Sequence, residues 1–158
     1  MLIFAMLATF SCKDDDGEGT HHNFKNQDAS GKIANVSWSY QDGYASIYDV
    51  GDSKRIEVRL VLAQTMTGCD ISSFAEGDQV FFDLPTVVGV YKLVLDWTPT
   101  VNSNTATLLD TEEAEWYIAT IGAIEILSIS DTEVSGRIDA KADDKNFVNG
   151  NFTVSICQ

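Results

Sequence analysis

The sequence predicts an all-β fold, namely a single antiparallel β-sandwich of about eight or nine strands. Three observations predict it. Apolar and polar residues alternate with a period of two over most of residues 31–158. Turn residues interrupt this alternation at intervals of roughly ten residues, and hardly any stretch is long and amphipathic enough for a helix. A closed, lipocalin-like β-barrel is the alternative, because short, evenly spaced strands suit both architectures.

The first half of the domain is predicted to contain a hairpin followed by three further strands. The turn at residues 41–43 contains a glycine and connects the first two strands into the hairpin. A turn at 51–53 leads into the third strand, and a looser connection over 64–78 holds Cys69. The predicted strands of this half span residues 34–40, 44–50, 54–63, 79–84 and 89–96.

The second half shows the clearest alternation of apolar and polar positions. The loop over residues 96–104 contains Pro99 and several small polar residues, and residues 110–115 form an acidic turn. The predicted strands span residues 105–109, 116–121, 123–130 and 133–142, and a last strand ends near Cys157.

Length and charge limit the possible partners. The chain has 158 residues, about the size of one domain, and 44% of them are hydrophobic. Its 24 acidic and 10 basic residues give a formal net charge of -14. Such a surface repels phosphate backbones and anionic lipid headgroups, so nucleic acid is excluded as an expected partner.

The amino-terminal residues 1–11 are predicted to be a signal peptide. Residues 1–10 form an uncharged apolar run, which Ser11 and Cys12 follow. As a helix this run would be only about 15 Å long. A bilayer core is about 30 Å thick, so the run fits the apolar region of a signal peptide and not a membrane span.

The residues around Cys12 resemble the lipobox of bacterial lipoprotein signals. Residues 7–11 are Leu-Ala-Thr-Phe-Ser and lead directly to Cys12, although no Lys or Arg precedes them as in the usual signal. The resemblance implies that the Cys12 thiol takes a diacylglycerol and becomes the first mature residue. Two or more acyl chains make a stable membrane anchor, where a single chain is marginal.

The segment after Cys12 resembles the export tag of surface lipoproteins of the Bacteroidota type. Residues 13–16 are Lys-Asp-Asp-Asp, and an ordinary solvated linker is the alternative interpretation. Residues 134–138 and 148–154 resemble the closing hairpin of small uncharacterised surface lipoproteins of that group. The resemblance implies an outer-membrane lipoprotein that faces the cell exterior. Because the residues up to about 30 are polar, charged and contain glycine, the lipidated cysteine and a flexible tether are predicted over 12–30, and the β domain over 31–158.

With Cys12 assigned to lipid, two cysteines remain in the predicted domain. Cys69 and Cys157 can form one disulfide if the compartment is oxidising. Two buried free thiols are the alternative, because sequence alone does not give the geometry that a disulfide requires.

Residues that would support catalysis are scarce in the predicted domain. His21 and His22 are the only histidines and lie in the tether, which leaves a serine or cysteine nucleophile without a histidine base. The cysteines lack the paired spacing of a zinc site, and the acidic clusters at 110–115 and 139–144 do not match a calcium-binding loop. We therefore expect no catalytic residue, no metal site and no cofactor.

Aromatic residues carry the functional prediction. Trp38 shares its strand parity with Val36 and is predicted to lie in the core, whereas Trp97 stands at a strand end. We expect a non-catalytic module that binds a glycan or protein at the cell envelope, with Trp97, Tyr44 and Tyr48 as ligand contacts. The alternatives are a structural or assembly lipoprotein that pairs through edge strands with an envelope complex, or a carrier of a small hydrophobic ligand if the fold is a barrel.

Overall fold

The computed structural model describes residues 22–71, 76–96 and 104–157, which form an all-β domain. The predicted signal peptide, Cys12 and Trp97 lie outside these residues. A short 3₁₀ turn, Gly68–Asp70, interrupts the long connection after the fourth strand. The strands are β1 Ser30–Ile33, β2 Val36–Ser39, β3 Asp42–Val50, β4 Ser53–Val61, β5 Gln79–Pro85, β6 Gly89–Lys92, β7 Ala106–Asp110, β8 Glu115–Ala119, β9 Ile121–Ile129, β10 Glu133–Lys141 and β11 Phe147–Cys157.

These strands form one mixed sheet in the order β6-β9-β10-β11-β3-β4-β5-β7-β8. The sheet consists of two antiparallel blocks, β6-β9-β10-β11 and β3-β4-β5-β7-β8. They meet where β11 runs parallel to β3, with Ser155 opposite Tyr44 and Cys157 opposite Ser46. We call this three-residue pairing the parallel seam. Outside the nine-strand path, β1 pairs with β11 and β2.

The connection between β8 and β9 requires the sheet to curl. These strands lie near opposite ends of the path, yet only Thr120 separates them in the sequence. One residue spans less than about 4 Å. The two ends must therefore approach each other, and the sheet forms a half-barrel. Backbone hydrogen bonds between Val94 and Asn104, 2.7 and 3.1 Å long, add a second link between strand ends.

The inner side of the curl holds the hydrophobic core. Alternate residues of β4, namely Ile56, Val58 and Leu60, are fully buried, as period-two geometry requires for a strand with one face on the core. Phe82 of one block and Phe152 of the other lie with ring centroids 5.5 Å apart. The core therefore joins the two blocks by side-chain packing where the backbone seam is short.

The all-β prediction is confirmed, but the arrangement of strands differs from the predicted antiparallel sandwich. The described residues contain eleven strands, not eight or nine, and their pairing includes the parallel seam. Period-two alternation shows which residues share a face, but it does not show which strands are neighbours. A short strand such as β1, four residues long, also gives little alternation to detect.

The predicted first hairpin is wrong. Its turn lies at Ala34–Asn35 and joins β1 to β2, whereas β3 pairs with β4 and β11. Both turn residues have positive φ, 50° and 66°, the backbone of a two-residue hairpin turn that asparagine tolerates well. The Ala34 amide donates to Asn146 Oδ1 at 2.7 Å, which holds this turn against the β10–β11 loop.

Residues 23–29, which we call the strap, lie across β11 ahead of the first strand. The Asn149 side chain donates to the Asn23 carbonyl at 2.9 Å and accepts from the Lys25 amide at 2.8 Å. The Asn151 amide donates to the Gln27 carbonyl at 2.7 Å. The strap thus contacts the sheet at residues that precede position 31, the predicted first residue of the β domain.

Gly150 makes the close approach of the strap possible. Its φ is 144°, and a Cβ there would lie 2.6 Å from the carbonyl oxygens of both Gln27 and Asp28. A side chain at this position would therefore combine backbone strain with a steric clash. Ala29, the last strap residue, is fully buried, and its amide donates to the Asn151 carbonyl at 2.9 Å.

The structure joins Cys69 to Cys157 by a disulfide, with 5.4 Å between the two Cα atoms. Cys157 belongs to the parallel seam, and Cys69 lies in the 3₁₀ turn. The bond therefore fastens the 64–78 connection to the place where the two blocks of the sheet meet.

Candidate functional site

The outer side of the second block carries aromatic and charged side chains next to one another. In β4 and β5 the residues that alternate with the core residues point outward. The register places Tyr44, Arg59, Phe81 and Thr107 side by side across four strands. We call this surface the candidate face, and its members are Tyr44, Tyr48, Arg55, Glu57, Arg59, Phe81, Asp83, Thr105, Thr107 and Trp116.

At one end of the candidate face, Arg55 and Asp83 form a half-buried ion pair. Arg55 Nε lies 2.5 Å from Asp83 Oδ1, and Arg55 Nη2 donates to the Asp83 carbonyl oxygen at 3.0 Å. The Tyr48 hydroxyl donates to the other carboxylate oxygen of Asp83. These contacts, made from three different strands, fix the orientation of both charged groups.

Burial also changes the protonation behaviour of Asp83. Desolvation raises the pKa of Asp83 to about 6, because the ionised carboxylate is less stable away from water. The carboxylate therefore gains a proton within the range just below neutral pH. Asp83 lies directly opposite Glu57 in the register of β4 and β5, so two acidic residues stand side by side between the arginines.

Arg59 neutralises the second carboxylate and covers an aromatic ring. Its Nε donates to Glu57 Oε1 at 2.9 Å, and its Nη1 lies 3.3 Å from Gln79 Oε1. Its guanidinium carbon lies 4.9 Å from the Phe81 ring centroid, a cation–π contact. Burial raises the pKa of the neighbouring Tyr44 hydroxyl, and the charge of Arg59 partly offsets that rise.

Trp116 forms the exposed aromatic end of the candidate face. Its side chain is 65% exposed, although a ring of this size is usually largely buried. The Trp116 and Phe81 rings meet edge to face, with centroids 5.7 Å apart. Phe81 therefore supports a tryptophan that presents most of its surface to solvent.

A shallow depression lies beside Phe81 and the Arg55–Asp83 pair. Its volume is about 280 Å³, just below the roughly 300–1,000 Å³ typical of small-molecule sites. Ionic, hydroxyl and aromatic groups occur together in its lining, which suits a polar ligand with some apolar surface. The lining residues are Arg55, Glu57, Phe81, Phe82, Asp83, Thr105 and Thr107.

The acidic clusters at 110–115 and 139–144 supply carboxylates that cap turns. Asp110 accepts hydrogen bonds from the Glu112 and Glu113 amides, and Asp143 accepts one from the Lys145 amide at 2.7 Å. Over residues 22–71, 76–96 and 104–157, no group of three or more His, Cys, Asp or Glu side chains is placed to hold a metal ion.

The predicted ligand contacts have different outcomes. Tyr44 and Tyr48 lie on the candidate face, and their contact with a ligand stays a prediction. Trp97 lies outside the described residues. Trp38 is 3% exposed, with its indole N–H donating to the Asp78 carbonyl at 2.9 Å, so its predicted core position is confirmed.

Trp116 is not among the contacts predicted from the sequence. Residues 116–119 are Trp-Tyr-Ile-Ala, so both strand parities are apolar and the pattern does not separate the outward positions. The Arg55–Asp83 pair was missed because its partners lie on different strands. In β4, charged Arg55, Glu57 and Arg59 alternate with apolar residues. This alternation indicates that the charged residues lie on an outward face of the sheet.

Comparison with protein-family models, curated proteins and solved structures found no match. Within the described part of the chain, no helix has the length and apolar character needed to cross a membrane. The chemistry of the candidate face is therefore the basis for the function proposed below.

Proposed function

We propose that this protein is a lipid-anchored surface protein whose non-catalytic β domain binds a glycan through the candidate face. The observation that carries this proposal is the exposed Trp116 ring on the same surface as the Arg55–Asp83 pair. A sugar ring has an apolar face of C–H groups and a rim of hydroxyls. An aromatic platform beside oriented donors and acceptors matches both parts of such a ligand.

The proposed location rests on the amino-terminal sequence. The Leu-Ala-Thr-Phe-Ser-Cys stretch ending at Cys12 supports lipidation, and the Lys-Asp-Asp-Asp run after it supports export to the outer surface of the outer membrane. A tether attached to the strap would then hold the domain outside the cell, where glycans are accessible.

A glycan array with the full-length protein tests the proposed function. We expect binding to one or more glycans, and we expect Trp116→Ala to weaken that binding at least tenfold, equivalent to about 1.4 kcal/mol. Val36→Ala is the matched control, because Val36 is 63% exposed but belongs to β2, a strand that contributes no residue to the candidate face. Failure of the wild-type protein to bind any glycan, or equal losses in both variants, would contradict the proposal.

A role in assembly is the second candidate function, and β2 supports it. Within the described residues β2 pairs only with β1, and its sequence Val-Ser-Trp-Ser carries no charge. An uncharged edge strand presents unpaired backbone groups to which a strand from another protein can add. Association that persists in Trp116→Ala but is lost when Ser37, whose backbone N–H points away from β1, is replaced by Pro, which cannot donate a backbone hydrogen bond, would favour this candidate.

A further inference from the structure

We infer that the ligand is a neutral oligosaccharide, one ring of which stacks on Trp116 while two neighbouring hydroxyls of another bind the Arg55–Asp83 pair. This inference rests on the proposed function and specifies the class of glycan. It follows from the hydrogen-bonding capacity, the charge and the spacing of the candidate face.

The Arg55–Asp83 pair offers donors and acceptors side by side. A guanidinium has five N–H donors, and two of those of Arg55 are used by Asp83 in the described part of the chain. Each Asp83 carboxylate oxygen accepts one hydrogen bond, from Arg55 or from Tyr48, and retains further acceptor capacity. Two adjacent hydroxyls, each both a donor and an acceptor, can accept from Arg55 and donate to Asp83 at the same time.

Charge on the candidate face favours a neutral ligand over an anionic one. Arg55 is paired with Asp83, and Arg59 is paired with Glu57. A sugar carboxylate or sulfate would have to compete with these carboxylates for the guanidinium groups. The formal net charge of -14 adds long-range repulsion of anionic glycans.

Spacing favours an oligosaccharide over a single sugar. Phe81 and Asp83 lie two residues apart on the same side of β5, a separation of about 7 Å along the strand. The Trp116 ring contacts Phe81 from the side away from β4, so it stands farther from the ion pair than Phe81 does. Thr105 and Thr107 line the depression beside Phe81 and the ion pair.

Calorimetric titration with matched oligosaccharides tests this inference. The probes are β-1,4-linked mannose and glucose oligomers, together with mannuronate and glucuronate oligomers of the same length and linkage. We expect the full-length protein to bind at least one neutral oligomer at least tenfold more tightly than its acidic counterpart. Equal or tighter binding of the acidic oligomers would overturn the inference while leaving glycan binding intact. Absence of binding to all probes and to the glycan array would overturn both proposals.

Arg55→Lys tests the role of the ion pair. Lysine keeps the positive charge but lacks the planar fork of donors, so we expect affinity for the neutral oligomer to fall at least tenfold. Arg137→Lys is the control, since Arg137 pairs with Glu125 on the other block of the sheet. Urea unfolding of both variants separates a binding defect from a folding defect. Unchanged affinity in folded Arg55→Lys would contradict the proposed contact.

Discussion

At the scale of single residues, the environment of Asp83 determines how the candidate face responds to pH. Arg55 and Tyr48 contact its carboxylate from β4 and β3, Glu57 stands opposite, and Thr105 and Thr107 line the depression beside it. Burial destabilises the ionised form and raises the pKa of Asp83 to about 6, above the ordinary aspartate value of about 3.9.

The raised pKa of Asp83 predicts a stability change with a defined sign. Between pH 4 and pH 6 the folded state binds this proton more tightly than the unfolded state, so the contribution of Asp83 to stability falls as the pH rises. We expect an NMR titration of the Asp83 carboxyl to give a midpoint of about 6. In urea unfolding, the wild-type protein should lose stability from pH 4 to 6 relative to Asp83→Asn. A midpoint below 4, or an identical pH dependence of the two proteins, would rule this out.

Single residues also show what the sequence pattern could predict. The turn at Gly51 between β3 and β4 was predicted correctly, because the residues of β4 alternate clearly and Gly51 takes a positive φ of 58° that favours glycine. The left-handed turn at Asn35 was missed, since an asparagine also fits the polar position of an alternating strand. The local pattern is compatible with both a strand and a turn. The hydrogen bond from the Ala34 amide to Asn146 stabilises the turn.

At the scale of elements, the strap depends on one asparagine side chain. Asn149 is 8% exposed and forms hydrogen bonds with Asn23, Lys25 and Asp139 through its amide. This amide thereby supplies bonds that a neighbouring strand would supply in a regular sheet. Phe24, also in the strap, has its ring centroid 4.9 Å from the Arg137 guanidinium and adds a cation–π contact.

Removal of the Asn149 side chain is expected to release the strap. Asn149→Ala deletes buried hydrogen bonds, each of which costs about 1–3 kcal/mol when a partner is left unsatisfied. Hydrogen exchange of residues 22–29 should accelerate markedly in this variant. Asn151→Ala is the control, because the Asn151 side chain makes one exposed hydrogen bond of 3.3 Å to Asn26. Equal exchange in the two variants would show that Asn149 does not hold the strap.

Strand positions were predicted more accurately than strand partners. β4, β5, β10 and β11 lie close to their predicted positions, because each alternates over seven or more residues and borders a turn. The pairing of β11 with β1 and β3 was not predictable, since it joins segments more than a hundred residues apart. Such long-range partners depend on how several strands pack together, which a local pattern does not contain.

At the scale of the whole molecule, the strap and the candidate face lie on different blocks of the curled sheet. The strap contacts β11, whereas the candidate face extends from β3 to β8. The strap therefore contacts a strand that contributes no residue to the candidate face.

The proposed anchor gives the prediction for the intact protein in cells. We expect the wild-type protein to incorporate labelled palmitate and to fractionate with the outer membrane. Cys12→Ser should lose both properties, because the acylated thiol is absent. The double variant Cys69→Ser/Cys157→Ser is the control and should remain labelled, since these cysteines form the disulfide. Labelling that survives in Cys12→Ser would refute the assignment of the lipid site.

The position of β11 has a consequence for the kinetics of folding. This strand pairs with β10, β1 and β3, supports the strap and carries Cys157. The two blocks of the sheet therefore cannot join until residues 147–157 are available to pair with β3. Contacts between such distant segments form slowly, because closing long loops costs entropy before the contacts stabilise the chain. For the proposed exported lipoprotein, we expect the two blocks to join only after the complete sheet-forming segment has arrived.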